Sequence, residues 1–145
     1  MWHSGQRSMP ARPFKLTAPV VREHPQHKAI ADVLRLELAP AGRLSPHGVV
    51  WWSIDMADYG GGIPGTRVAR GVCAGVPDLF FLHLGRTFLA EIKALDGILS
   101  DAQRSVLSAT IGAWGSVAVV RDATDMLACL DQWKIPRAMR IRGTI

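Results

Sequence analysis

Apolar positions along this chain recur at two different periods, and the switches between them mark out the elements. Over 24–38, Ile30, Val33, Leu34 and Leu38 fall three to four residues apart, which predicts an amphipathic helix. Pro25 suits its first turn, where a missing N–H leaves no bond unmade. Gly42, Pro46 and Gly48 then mark a loop, and VVWWSI at 49–54 reads as a strand. Trp51 and Trp52 are adjacent, so one faces the core and the other is available to stack on a base. Residues 58–75 are glycine-rich and contain Pro64, which predicts a long loop. Gly60 and Gly65 have P-loop spacing, but Thr66 and Arg67 follow them where a Lys-Ser/Thr pair is needed, so a P-loop is rejected.

Two strands are predicted next, LFFLHL at 79–84 and TFLAEIK at 87–93. Gly85-Arg86 between them has the Gly-X pattern of a two-residue type II′ hairpin. Both faces of this pair are apolar over most of its length, which implies burial between layers. Ser100-x-x-Gln103 is a capping box. The helix it opens runs to about Ala113, with Val106, Leu107, Thr110 and Ile111 on one side and Gly112 and Gly115 at its end. Residues 116–120 form a short apolar strand, and Thr124 caps a last helix from Asp125 to about Trp133. Helix, strand, hairpin, helix, strand, helix is an α/β order that predicts a central mixed β-sheet flanked by helices. The chain divides into an irregular basic arm over 1–20, one domain over 21–136 and a basic tail over 137–145.

The 145 residues suit a single core, and 48% apolar with 20% charged residues excludes a disordered chain. No apolar run approaches the roughly 20 residues that cross a bilayer, and the N-terminus lacks a signal peptide's apolar core. A cytoplasmic protein with no membrane partner is therefore expected. Cys73 and Cys129 are too few for a disulfide framework and read as two reduced thiols. The net charge of +5 and pI of 9.9 suit a polyanionic partner. Bases gather at both ends, at Arg7, Arg12 and Lys15 and at Lys134, Arg137, Arg140 and Arg142, while the middle holds most of the acids. Such tails are either solvated or in contact with phosphate.

The chemistry lies in the hairpin. With a turn at Gly85-Arg86, Leu84 faces Thr87, Phe80 faces Glu91 and Asp78 faces Lys93. Asp78, Glu91 and Lys93 then share one face at the open end. Two carboxylates and an ammonium at the end of an apolar strand pair are costly unless they bind something. Paired carboxylates make a hard-oxygen site for Mg²⁺, which polarises a phosphate oxygen and activates water, while a lysine orients that water or stabilises developing charge. The alternative is a structural ion pair closing the hairpin. His24 and His27 are three apart on one helix but lack a third metal ligand nearby, His83 reads as a hydrogen-bonded core histidine, and Arg67 and Arg70 are placed to touch phosphate from the glycine loop.

Gly75-Val76-Pro77-Asp78, then Glu91-Ile92-Lys93, then Ser100 and Gln103, resembles the VRR-NUC branch of the PD-(D/E)xK nucleases, over about residues 23–136. Leu130 to Pro136 (LDQWKIP) is similar to the family's closing segment. The resemblance implies a restriction-endonuclease-like core and an enzyme, a metal-dependent endodeoxyribonuclease. It makes Asp78 and Glu91 metal ligands and Lys93 the catalytic lysine. Gln103 would either touch phosphate or hold a metal-binding side chain. Glu23 falls where the family often has a further metal-site acid, the alternative being a helix-dipole acid. The cofactor implied is Mg²⁺, with Mn²⁺ able to substitute. Phage-type, stand-alone members are associated with branched DNA, so Holliday junctions or flaps are the implied substrate. A junction resolver needs two sites and hence a homodimer. Residues 49–54 and the last helix are the candidate dimer faces. Lys134 and Arg137 join Arg67 and Arg70 as candidate DNA contacts. Two departures stand out: Asp58-Tyr59-Gly60-Gly61-Gly62 lacks the family's Asn, and His27 stands where Gln is frequent. The rival reading is a DNA-binding module that keeps the fold without catalysis.

Overall fold

The computed structural model describes residues 24–54 and 65–138. Four strands form one sheet in the order β1-β2-β3-β4: β1 (Val49–Ser53), β2 (Leu79–His83), β3 (Arg86–Ile92) and β4 (Ser116–Val120). The first three are antiparallel, and β4 lies parallel to β3 after a crossover through a helix. The helices are α1 (His24–Glu37), α2 (Gly65–Val68), α3 (Asp101–Gly112) and α4 (Ala123–Gln132). This is the α/β mixed sheet with flanking helices that the pattern predicts.

One face of the sheet is the main core. Trp51, Phe81, Phe88, Ile92 and Val120 are buried there beneath Ile30 and Leu34 of α1 and Met126 and Leu130 of α4. Each of these large side chains contributes about 1.5–3 kcal/mol by leaving water. Trp133 closes the layer, its ring 5.9 Å from Phe81 and 5.2 Å from Phe88. Trp51 is the core tryptophan of the pair, and its indole N–H donates to the Ala39 carbonyl at 2.8 Å. Trp52 faces the other way and stacks on Phe80 at 4.8 Å. On that second face α3 packs against β4 and reaches Glu91 of β3 through Gln103. Among the described residues Phe80 stays half-buried and Leu82 is exposed, so only part of the hairpin is buried between layers.

The structure corrects three local expectations. The hairpin turn is Leu84-Gly85, not Gly85-Arg86: φ is 50° at Leu84 and 71° at Gly85, and His83 pairs with Arg86. Two positive-φ residues give a turn whose twist matches the strands, with glycine in its second position. The loop predicted over 58–75 contains α2, too short to show a period in sequence. The cap of α4 is Asp122, not Thr124, with its carboxylate accepting from the Asp125 N–H at 2.8 Å.

The basic arm, the Asp58–Gly62 segment, Arg140 and Arg142 lie outside the described residues. Arg137 and Ala138, expected in the tail, are tied to the body. The Ala138 N–H donates to the Glu37 carbonyl at 2.8 Å, and the Arg137 guanidinium bonds Asp131 and Glu37.

Candidate active site

The end of the sheet away from the hairpin turn gathers the expected side chains. The true register shifts the pairing by two residues, so it exchanges partners without exchanging faces. Leu79 pairs with Ala90, and one step further Asp78 stands across from Glu91 rather than Lys93. Opposed residues in an antiparallel pair have Cβ atoms about 4.5–5.5 Å apart, close enough for two carboxylates to share one cation. Asp78 is fixed by its own backbone surroundings: Oδ2 accepts from the Ile92 N–H at 2.7 Å, and its carbonyl accepts from the Ile54 N–H at 2.8 Å.

Glu91 is 2% exposed and Lys93 8% exposed. The Lys93 ammonium lies 3.1 Å from Glu91 Oε1, and the Gln103 side-chain amide donates to the same oxygen. Lys93 thus forms an ion pair with Glu91, its neighbour two residues back along the strand.

Gln103 reaches Glu91 because α3 starts where it does. The Ser100 hydroxyl accepts from the Gln103 N–H at 3.2 Å, and Gln103 Oε1 accepts from the Ser100 N–H at 2.9 Å. This is the full capping box, and it turns the amide NH₂ toward Glu91. Gly75 seats the helix. Its φ is +85°, and a Cβ there would sit 2.6 Å from the Gln103 nitrogen and closer still to the Ala102 carbonyl. The glycine of the GVPD run is therefore required by the close approach of the loop to α3.

Two contributors were not foreseen. Arg121 donates to the carbonyls of Ala94 and Gly97, clamping the turn that follows Lys93. No sequence pattern distinguishes such an arginine from a solvated one. His27 bonds the Ser53 hydroxyl at 2.9 Å, which brings the first turns of α1 to this same end of the sheet.

The remaining expected residues are dispersed. Arg67 and Arg70 are exposed on α2 and the turn after it. Lys134 is exposed at the opposite end of the sheet. Arg137 is spent internally: bonds to Asp131 and then Glu37 push its pKa above the ordinary guanidinium value, and its side chain staples the chain end to α1. Glu23 lies outside the described residues, as does the side chain of His24. His83 is the buried histidine expected, with Nδ1 3.1 Å from the Gly48 carbonyl.

Among the described residues no three His, Cys, Asp or Glu side chains are grouped to hold a metal ion. Among the described residues, Asp78 and Glu91 each bring a carboxylate to this end. That donor set fits Mg²⁺, which is commonly held by one or two carboxylates and completes its shell with water and substrate phosphate. Among the described residues no helix is long and apolar enough to cross a membrane. No family model, no curated protein and no solved structure matches this chain.

Proposed function

We propose that this chain is a divalent-metal-dependent DNA endonuclease that hydrolyses phosphodiester bonds. The observation that carries the reading is the convergence of Asp78, Glu91 and Lys93 at one end of the sheet, with Gln103 of α3 bonded to Glu91. A buried ion pair is a poor stabiliser, because removing two charges from water roughly cancels their attraction. Retaining one between core strands calls for a use. The resemblance of GVPD, ExK and S-x-x-Q to the VRR-NUC nucleases and the charge of +5 point the same way.

Asp78 and Glu91 would hold Mg²⁺, or Mn²⁺ in its place, with Glu23 as a further acid. When bound, the metal supplies charge neutralisation at the phosphate and lowers the pKa of water. The chain's own groups do the rest. The Lys93 ammonium, held by Glu91, orients the attacking water and offsets negative charge as it develops on the phosphoryl oxygens. Gln103 is a positioning residue that keeps the Glu91 carboxylate turned to this end. Arg67 of α2 and Arg70 of the turn after it contact phosphate, upstream of Asp78 in the same connection. The substrate class is branched DNA, a four-way junction or a flap, cut by a homodimer of cytoplasmic location, and the fold is that of the restriction-endonuclease-like core.

Incubation of labelled four-way junction, flap, linear duplex and single strand with Mg²⁺, Mn²⁺ or EDTA tests this. Metal-dependent cutting, strongest on the branched substrates, is expected. Binding without cutting in either metal would leave the silent DNA-binding module.

A further inference from the structure

At the hairpin end lies a cleft of about 480 Å³, between the C-terminal ends of α3 and α4 and across the starts of β3 and β4. Phe88, buried beneath Arg86, and Trp133 are among its lining residues, and its cations are Arg86 and Lys134. Ser116 and Gln132 add a hydroxyl and an amide, and among the described residues no carboxylate lines it. The Arg86 guanidinium stands 5.5 Å from the Phe88 ring centroid, so it is aimed over the wall rather than into open water. Lys134 follows α4 in the left-handed region at φ 57°.

Trp114 directly precedes Gly115, one of the residues that line the cleft. It is 95% exposed and also left-handed, at φ 64°. Its position is enforced by its neighbour: a Cβ at Gly115 would meet Thr110 Cγ2 at 2.5 Å, so the connection is pressed against α3. The backbone therefore holds a large flat ring out into water one residue from the lining of a basic cleft. An electropositive groove combined with an exposed aromatic platform is how single strands of nucleic acid are held without regard to base sequence.

We propose that this cleft binds one nucleotide unit of a nucleic-acid strand, with Arg86 and Lys134 taking the phosphate and Trp114 stacking on the base. The choice of a polymer as ligand rests on the nuclease reading; the site itself is separate. Glu91 lies five residues along β3 from Arg86, so at about 3.3 Å each the cation and that carboxylate are about 17 Å apart. It is a holding site for a strand that is not being cut.

The test is fluorescence anisotropy of a labelled single-stranded oligonucleotide of about ten nucleotides, with EDTA present so that hydrolysis plays no part. The parent, Trp114→Ala, Trp114→Phe and the double variant Arg86→Ala with Lys134→Ala are compared, with circular dichroism to show that each is folded. The expected results are about tenfold weaker binding for Trp114→Ala, recovery in Trp114→Phe, and a salt dependence shallower by about one unit of slope in the double variant. Unchanged affinity and slope across the set, or no binding by the parent, overturn the cleft. The first of these leaves the carboxylate site untouched. Binding that depends on these residues upholds the cleft even if the chain cuts nothing.

Discussion

Along β3 the character of the molecule changes from one end to the other. Where the strand begins, Arg86 and Lys134 border a cleft that no carboxylate lines among the described residues, and three non-glycine residues (Leu84, Trp114 and Lys134) sit in left-handed backbone. Where it ends, Glu91 and Lys93 are almost wholly buried, and Asp78, Gln103 and Arg121 fix their surroundings through hydrogen bonds. The first end presents charge to solvent in an open groove. The second spends hydrogen bonds on holding charge out of solvent. Pre-organised, desolvated charge is what a transition state requires, whereas exposed charge and flat rings suffice to hold a flexible polyanion.

The sharpest way to break this contrast is to neutralise the buried pair. Glu91→Gln with Lys93→Met replaces two buried charges by groups of similar volume. Cleavage is expected to vanish, while stability rises by about 1–4 kcal/mol as the desolvation penalty is lifted. Urea denaturation checks this. A loss of several kcal/mol would make the pair structural and remove the distinction between the two ends.

Paired glycines sharpen the contrast from the backbone side. Gly75 and Gly85 both have positive φ, but a Cβ at Gly75 collides with α3 while one at Gly85 meets nothing within 4 Å. Gly75→Ala is expected to cost about 2–4 kcal/mol, from conformational strain plus overpacking, and to lower cleavage by dislodging Gln103. Gly85→Ala should cost only about 1–2 kcal/mol, with cleavage unchanged. Equal thermal shifts for the two would mean that the seating of α3 is not specified by Gly75.

Much of this was legible in the sequence. The capping box at Ser100-Gln103 was read correctly because its partners are three residues apart, and local hydrogen bonds leave local signatures. The shared face of Asp78, Glu91 and Lys93 survived a wrong turn assignment, because a two-residue slip preserves strand parity. The cross-strand neighbour of Asp78 did not survive it, since Glu91 and not Lys93 stands opposite in the register, and Glu91 is itself within 3.1 Å of the Lys93 ammonium. Arg121 is joined to its acceptors Ala94 and Gly97 only by the parallel β3–β4 packing, and no local pattern announces that. The hairpin-end cleft combines residues from four elements for the same reason. The bond of Arg137 to Glu37, a hundred residues earlier, is likewise invisible in the basic run where Arg137 lies.

The smallest expected effect concerns the core that both ends share. Burial, with a lesser push from Asp125, raises the Cys129 thiol from 9.0 to about 12, whereas Cys73 is exposed. An alkylating reagent at pH 8 should modify Cys73 alone in the folded chain and both residues in denaturant, as mass spectrometry would show. Cys129 contributes stability below the unfolded thiol's pKa that fades as pH rises toward about 12. Rapid labelling of Cys129 without denaturant would mean that the α4 layer opens readily.

The most direct test of the central claim is single-turnover cleavage of a four-way junction in Mg²⁺ by the parent, Asp78→Asn and Lys93→Ala, with junction affinity measured in EDTA. The expected result is a loss of cleavage of at least about 10²-fold in each variant, with affinity nearly unchanged. Equal cleavage by all three would contradict the assignment of chemistry to this end of the sheet.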